Sequence, residues 1–184
     1  MGAAAEIIRP NLAATLAQKV RLLNRSPSEA VLEFAPFQAM LVRDYMTTKV
    51  SFLRDDARLL DAALMIRHSG KRHVPILGQD DKLVGIISDR DVARLAPSML
   101  ARMTQEEYNE IFEKTPISVA MTKNPLTISA DAPIDEAVFL LHSKKIGALP
   151  VVENDKLVGI LTISDMLGLL HELLNRKAAA ESGG

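Results

Sequence analysis

The sequence contains no cysteine in its 184 residues. That excludes a disulfide framework and any thiolate metal site, and it fits a reducing compartment such as the cytoplasm. An excess of one charge is also missing. The 22 Lys and Arg are balanced by 23 Asp and Glu, a net charge of -1. There is therefore no electrostatic case for nucleic acid or an anionic membrane as partner. No apolar run approaches the roughly 20 residues that a membrane span needs. Residues 1–8 lack the basic start and apolar core of a secretory signal. Glu6 stands where a myristoylation signal needs Ser or Thr. A phosphate loop of Walker type, a dinucleotide fingerprint and a nucleophile elbow are all absent. The run His171-Glu172-Leu173-Leu174-Asn175 approaches a zinc-protease motif, but Asn175 replaces the second histidine. With no convincing base, nucleophile or metal cluster, the chain is expected to be a cytoplasmic protein that is not an enzyme.

What is present is a repeat. Residues 1–41 come first and read as a helical extension. Leu12, Leu16, Val20 and Leu23 recur at helical spacing, and Ser26, Pro27 and Glu29 mark a second helix start. From Val42 the chain is duplicated. The Met-Thr pair at Met46-Thr47 returns at Met121-Thr122, an offset of 75 residues. At that offset Leu59 meets Ile134, Ala62 meets Ala137 and Pro75 meets Pro150. One deletion in the second hairpin then shifts the offset to 74, so Gly85 meets Gly159 and Asp91 meets Asp165.

Each repeat reads as strand, helix, strand, strand, helix. An extended piece (residues 49–52 or 125–128) leads into a helix with Asp56 or Asp131 near its start. Leu59, Ala62, Ala63 and Ile66 form one apolar stripe, and Ile134, Ala137, Val138 and Leu141 form the other. Two apolar strands joined by a polar turn follow, then a last helix. The boundaries are 42–95 for the first repeat and 118–175 for the second. Residues 96–117 form a helical insert between them, started by a Thr104/Glu107 capping box with a Met103/Tyr108 staple. Residues 176–184 read as a flexible tail.

Each repeat ends on the same motif. Gly85-Ile86-Ile87-Ser88-Asp89-Arg90-Asp91 is matched by Gly159-Ile160-Leu161-Thr162-Ile163-Ser164-Asp165. A strand stops at a hydroxyl of N-cap type, and a carboxylate follows in the first helical turn.

These motifs, with the Met-Thr starts and the Pro75 and Pro150 positions, resemble a tandem pair of CBS domains, also called a Bateman module. The resemblance spans about residues 42–175. It implies an α+β fold of two repeats packed about a pseudo-two-fold axis. It also implies clefts that bind an adenosine ligand: AMP, ADP, ATP, S-adenosylmethionine or a cyclic dinucleotide. By position, Asp91 and Asp165 would hold ribose hydroxyls, and Ser88, Arg90 and Thr162 would lie at the phosphate end. Arg72 and His73, before Pro75, suit phosphate. Gly147 and Ala148, before Pro150, suit the close approach of a flat base. Val50, Thr127 and Ile128 would supply backbone contacts to adenine. Because Arg72 and His73 face Gly147 and Ala148 in the alignment, the two sites are expected to be unequal.

The expected function is a stand-alone regulatory sensor of an adenine nucleotide, with no catalytic cofactor and with Mg²⁺ as companion left open. It would act on an unknown partner protein or on its own homodimer or higher homo-oligomer. Each signal has a plainer reading beside this one. Asp91, Asp165, Ser88 and Thr162 are also ordinary helix-start residues. Lys144 and Lys145 suit a helix C-terminus, His68, His142 and His171 read as structural or exposed, and the clefts of an interaction scaffold could be vestigial.

Overall fold

The computed structural model describes residues 40–96 and 104–182, with side chains through Asn175. The helical expectations for residues 1–39 and the Met103 half of the staple lie outside the described residues.

The first repeat runs α1 (Val42–Tyr45), β1 (Leu53–Arg54), α2 (Leu59–Ser69), β2 (His73–Leu77), a 3-10 turn (Gln79–Asp81), β3 (Leu83–Ser88) and α3 (Asp89–Leu95). Helix α4 (Gln105–Lys114) lies in the insert. The second repeat runs α5 (Ile117–Ala120), β4 (Thr122–Lys123), α6 (Ile134–Lys144), β5 (Ala148–Glu153), β6 (Lys156–Thr162) and α7 (Ile163–Ser182). The expected strand, helix, strand, strand, helix order is present in the first repeat. In the second, the leading strand is reduced to a parallel bridge from Ile128 to Val151, the counterpart of Leu53 on Ile76.

Turn chemistry sets both hairpins. Asn154 and Asp155 both have positive φ between Glu153 and Lys156, which are paired. That is the primed geometry a two-residue hairpin needs, and Asn and Asp tolerate it. Gly70 ends α2 in the left-handed region, while Lys145 does so for α6.

The two repeats are not self-contained, and their sequence similarity does not reveal this. Thr47 of the first repeat exchanges backbone hydrogen bonds of 2.9 and 3.0 Å with Ile160 in β6 of the second. Symmetrically, β4 of the second repeat pairs with β3 of the first, Thr122 opposite Ile86. The helical turn before each Met-Thr crosses too. Ile117 of α5 donates to Ala57 O at 2.9 Å and is fully buried among Leu59, Val74, Ile76 and Ile87 of the first repeat. In return Val42 of α1 donates to Ala132 O at 3.0 Å in the second repeat. Burying one such aliphatic side chain contributes about 1.5–3 kcal/mol. The bridge between Lys82 and Lys156, which correspond to each other, lies where the pseudo-two-fold axis passes.

The glycines that open both motifs are explained by the crossing. A Cβ on Gly85 would lie 2.4 Å from Met121 Sδ, and one on Gly159 would lie 2.5 Å from Met46 Sδ. Each methionine of a Met-Thr start thus packs on the bare backbone of the other repeat's β strand.

Several expectations need correction. Residues 49–52 precede the first strand rather than forming it. The helices of the stripes start at Leu59 and Ile134, after Arg58 and Pro133, so Asp56 and Asp131 stand outside them. Val138 is 46% exposed, because the face of α6 that meets the sheet is narrower than the stripe. The last helix continues through Ser182, so most of the expected tail is helical. The insert behaves as read at its start: Thr104 Oγ1 accepts from Glu107 N at 3.2 Å and Glu107 Oε2 from Thr104 N at 2.8 Å. Phe112 carries it into the first repeat's core, its ring tilted against that of Tyr108 with centroids 5.2 Å apart.

Candidate functional site

Both repeats turn from strand to helix in the same way. Ser88 ends β3 and caps α3. Its N–H and Oγ donate to Asp91 Oδ2 at 2.9 and 2.7 Å, and Asp91 N donates back to Ser88 Oγ at 3.3 Å. Thr162 ends β6 and does the same with Asp165, at 2.7, 2.7 and 3.3 Å. The three-residue spacing brings hydroxyl and carboxylate together within one turn. Each helix start is tied to the loop before the preceding strand. Asp89 N donates to Arg72 O at 3.0 Å, and Ile163 N donates to Gly147 O at 3.1 Å. The motif and the residues before Pro75 or Pro150 are thereby held side by side.

Each motif faces a cavity completed by the crossing segment of the other repeat. The first cavity, about 710 Å³, combines Ser88, Arg90 and Asp91 with Pro125 and Leu126 of the second repeat. The second, about 290 Å³, combines Thr162 and Asp165 with Lys49, Val50 and Ser51 of the first. Arg72, His73 and Gly147 line both. The His73 ring lies directly over Gly147: a Cβ there would be 2.6 Å from its Nε2. Burial pushes the His73 imidazole below its ordinary value. Asp89 and Asp91 pull it back, while Arg72 and Arg90 push it further down.

Of the residues picked from the sequence, Arg72, His73, Ser88, Arg90, Asp91, Gly147 and Ala148 line the first cavity. Val50, Thr162 and Asp165 line the second, with Arg72, His73 and Gly147 shared. Pro75 and Pro150 are fully buried within β2 and β5 and line neither. Ile128, also buried, and Thr127 line neither as well. The counterpart of Val50 at the repeat offset of 75 is Pro125, not Ile128; Ile128 matches the strand residue Leu53. Pro125 and Leu126 are the second repeat's cavity residues, and counting the offset strictly finds them. Arg94, His142 and Lys145 also line the first cavity. The sequence carried a signal for Arg94, one turn beyond Asp91, but none for the other two, which arrive from the end of α6.

Among the described residues no group of three or more His, Asp and Glu is placed to hold a metal ion. No helix among them is long and apolar enough to cross a membrane.

The family model for the CBS domain matches this chain twice, over residues 42–98 and 117–172. The chain belongs to the CBS domain family. Its two matches form the tandem pair, and solved CBS structures share the fold. A putative acetoin utilization protein (AcuB) from Vibrio cholerae is 33% identical, with a TM-score of 0.63, covering 76% of this chain and 96% of that one. The CBS domain pair of protein MJ0100, in complex with 5′-methylthioadenosine and S-adenosyl-L-methionine, is 28% identical with a TM-score of 0.60. That match covers 72% of this chain and 97% of the other. CBSX2 in complex with AMP is 25% identical with a TM-score of 0.60, covering 73% and 98%. The pseudo-two-fold arrangement of the crossing segments is thus the frame of a CBS pair, and the two cavities are its inter-repeat clefts.

Proposed function

We propose that this chain is a regulatory module that binds an adenosine ligand in the clefts between its CBS repeats and passes the bound state to a partner protein or to its own oligomer. The observation that carries this reading is the paired construction of the clefts. Each sets a capped carboxylate, Asp91 or Asp165, opposite an extended segment from the other repeat. A carboxylate oxygen accepts from two neighbouring ribose hydroxyls, and backbone along residues 49–51 or 125–126 suits a base edge. Arg72 and His73, at the wall the clefts share, suit phosphate as hydrogen-bond donors. The space over Gly147 is taken by the His73 ring, so the expectation that Gly147 admits a flat base is not part of this reading. The adenosine ligands named for MJ0100 and CBSX2 support the ligand class. A ligand that spans two repeats binds their relative arrangements unequally, which is the requirement for a switch. Exposed Phe139, Leu167 and Leu174 on α6 and α7 support an oligomer as one receiver of that switch.

A scaffold reading, with clefts that take no nucleotide, draws on one observation. Arg94 is ion-paired to Asp91 and competes for the first cleft's carboxylate.

A thermal-shift titration with AMP, ADP, ATP and S-adenosylmethionine, with and without Mg²⁺, decides between them. A ligand at a hundred times its dissociation constant stabilises the fold by about 2.7 kcal/mol. The sensor reading expects a shift that is lost or reduced in Asp165→Asn or Asp91→Asn. Folded protein that shifts with none of these ligands would leave the scaffold reading.

A further inference from the structure

The two clefts share a plan but differ at the carboxylate itself. Oδ2 of Asp91 accepts from Ser88, and its Oδ1 is taken by the guanidinium of Arg94, three residues on in α3. Both oxygens of the first cleft's carboxylate therefore have protein partners. In the second cleft Oδ2 of Asp165 is occupied by Thr162 in the same way. Yet the residue matching Arg94 at the offset of 74 is Gly168. Among the described residues nothing bonds Asp165 Oδ1.

The net charge of the linings does not separate the clefts: Arg72, Arg90, Arg94 and Lys145 face Asp89 and Asp91 in the first, and Lys49, Lys71 and Arg72 face Asp165 in the second. The difference lies in the pairing of the carboxylate. The Arg94 side chain is 74% exposed and that of Asp91 only 13%. The guanidinium can therefore swing away while the capped carboxylate stays.

We infer that Arg94 is a specificity-determining residue that makes the clefts unequal: the second accepts an adenosine ligand whether or not it carries phosphate, and the first selects one that does. This rests on reading the clefts as adenosine-ligand sites. A neutral ligand must displace Arg94 from Asp91 Oδ1 and offers it nothing in return. A phosphate chain offers the guanidinium a two-pronged anionic partner within the same cavity, which releases Oδ1 for the ribose. An exposed pair of this kind changes an equilibrium by about two- to fivefold, so Arg94 biases the cleft rather than sealing it.

The test isolates the first cleft with Asp165→Asn and compares it with Asp165→Asn/Arg94→Ala. Calorimetric titration uses 5′-methylthioadenosine as the neutral probe and ATP as the charged one. Arg94 is on an exposed helix face, so circular dichroism should show both variants folded. Removing Arg94 should tighten 5′-methylthioadenosine binding about two- to fivefold and weaken ATP binding, so the two affinities move in opposite directions. An unchanged affinity ratio, or both ligands moving together, overturns the selector role. So does an Asp165→Asn protein that binds neither probe while the wild type binds one. If the wild type itself binds neither probe, the ligand reading fails and this inference falls with it.

Discussion

His73 forms the wall that both clefts share, with its ring against Gly147. Burial lowers its pKa from the ordinary 6.5, and the facing charges are Asp89, Arg72, Asp91 and Arg90. A histidine whose folded pKa lies below its unfolded value binds fewer protons when folded. It contributes its full stability above the unfolded pKa and loses it as pH falls through the folded one. Denaturant unfolding should therefore show the wild type losing stability from about pH 6.5 downward. His73→Gln should flatten that part of the profile. An identical slope in both proteins would assign the pH dependence to other groups. At this scale the sequence was legible where partners are close in the chain. Ser88 and Asp91, or Thr162 and Asp165, meet because one helical turn spans three residues. The stacking of His73 on Gly147 was not legible, since 74 residues separate them and only the packing of the repeats joins them.

At the scale of elements, the crossing Met-Thr segments are the main finding. Their registry depends on methionines that lie on glycine backbone. Gly159→Ala would push a Cβ against Met46 Sδ and also approach Thr47 O at 3.2 Å. The expected loss is about 1–3 kcal/mol, the usual cost of overpacking. Met46→Ala should also destabilise, but the double variant should lose less than the sum of the two, because removing the sulfur makes room for the methyl. Strict additivity in equilibrium denaturation would show that the contact does not couple the strand to the segment. Elements with strong local signals were read directly, such as α4 from Thr104 and Glu107. The two-residue strands β1 and β4 were not, because a strand that short is defined by what it pairs with. The confusion of Ile128 with Pro125 has the same origin: both sit in extended chain, and only the partner strand tells them apart.

At the scale of the molecule, the exchange makes the repeats depend on each other. Ile117 of the second completes the core of the first, and Thr47 of the first completes the sheet of the second. Residues 42–172 should therefore melt as one unit. The test is agreement between the calorimetric and van't Hoff enthalpies, with far-ultraviolet and tyrosine signals coinciding at Tyr45 and Tyr108. Two resolved transitions would mean that each repeat holds its fold without the other's segment. The sequence by itself determined the duplication, the helix, hairpin and closing helix of each copy and the chemistry of the two capped motifs, because those follow from periodicity and from contacts within a few residues. Only the tertiary structure decided that the Met-Thr segments trade places and that Arg72 and His73 serve both clefts. It alone decided that Arg94 reaches one carboxylate while Gly168 leaves the other open. These depend on which surfaces the pseudo-two-fold packing brings together, and two similar repeats carry the same local pattern whichever way their ends are exchanged.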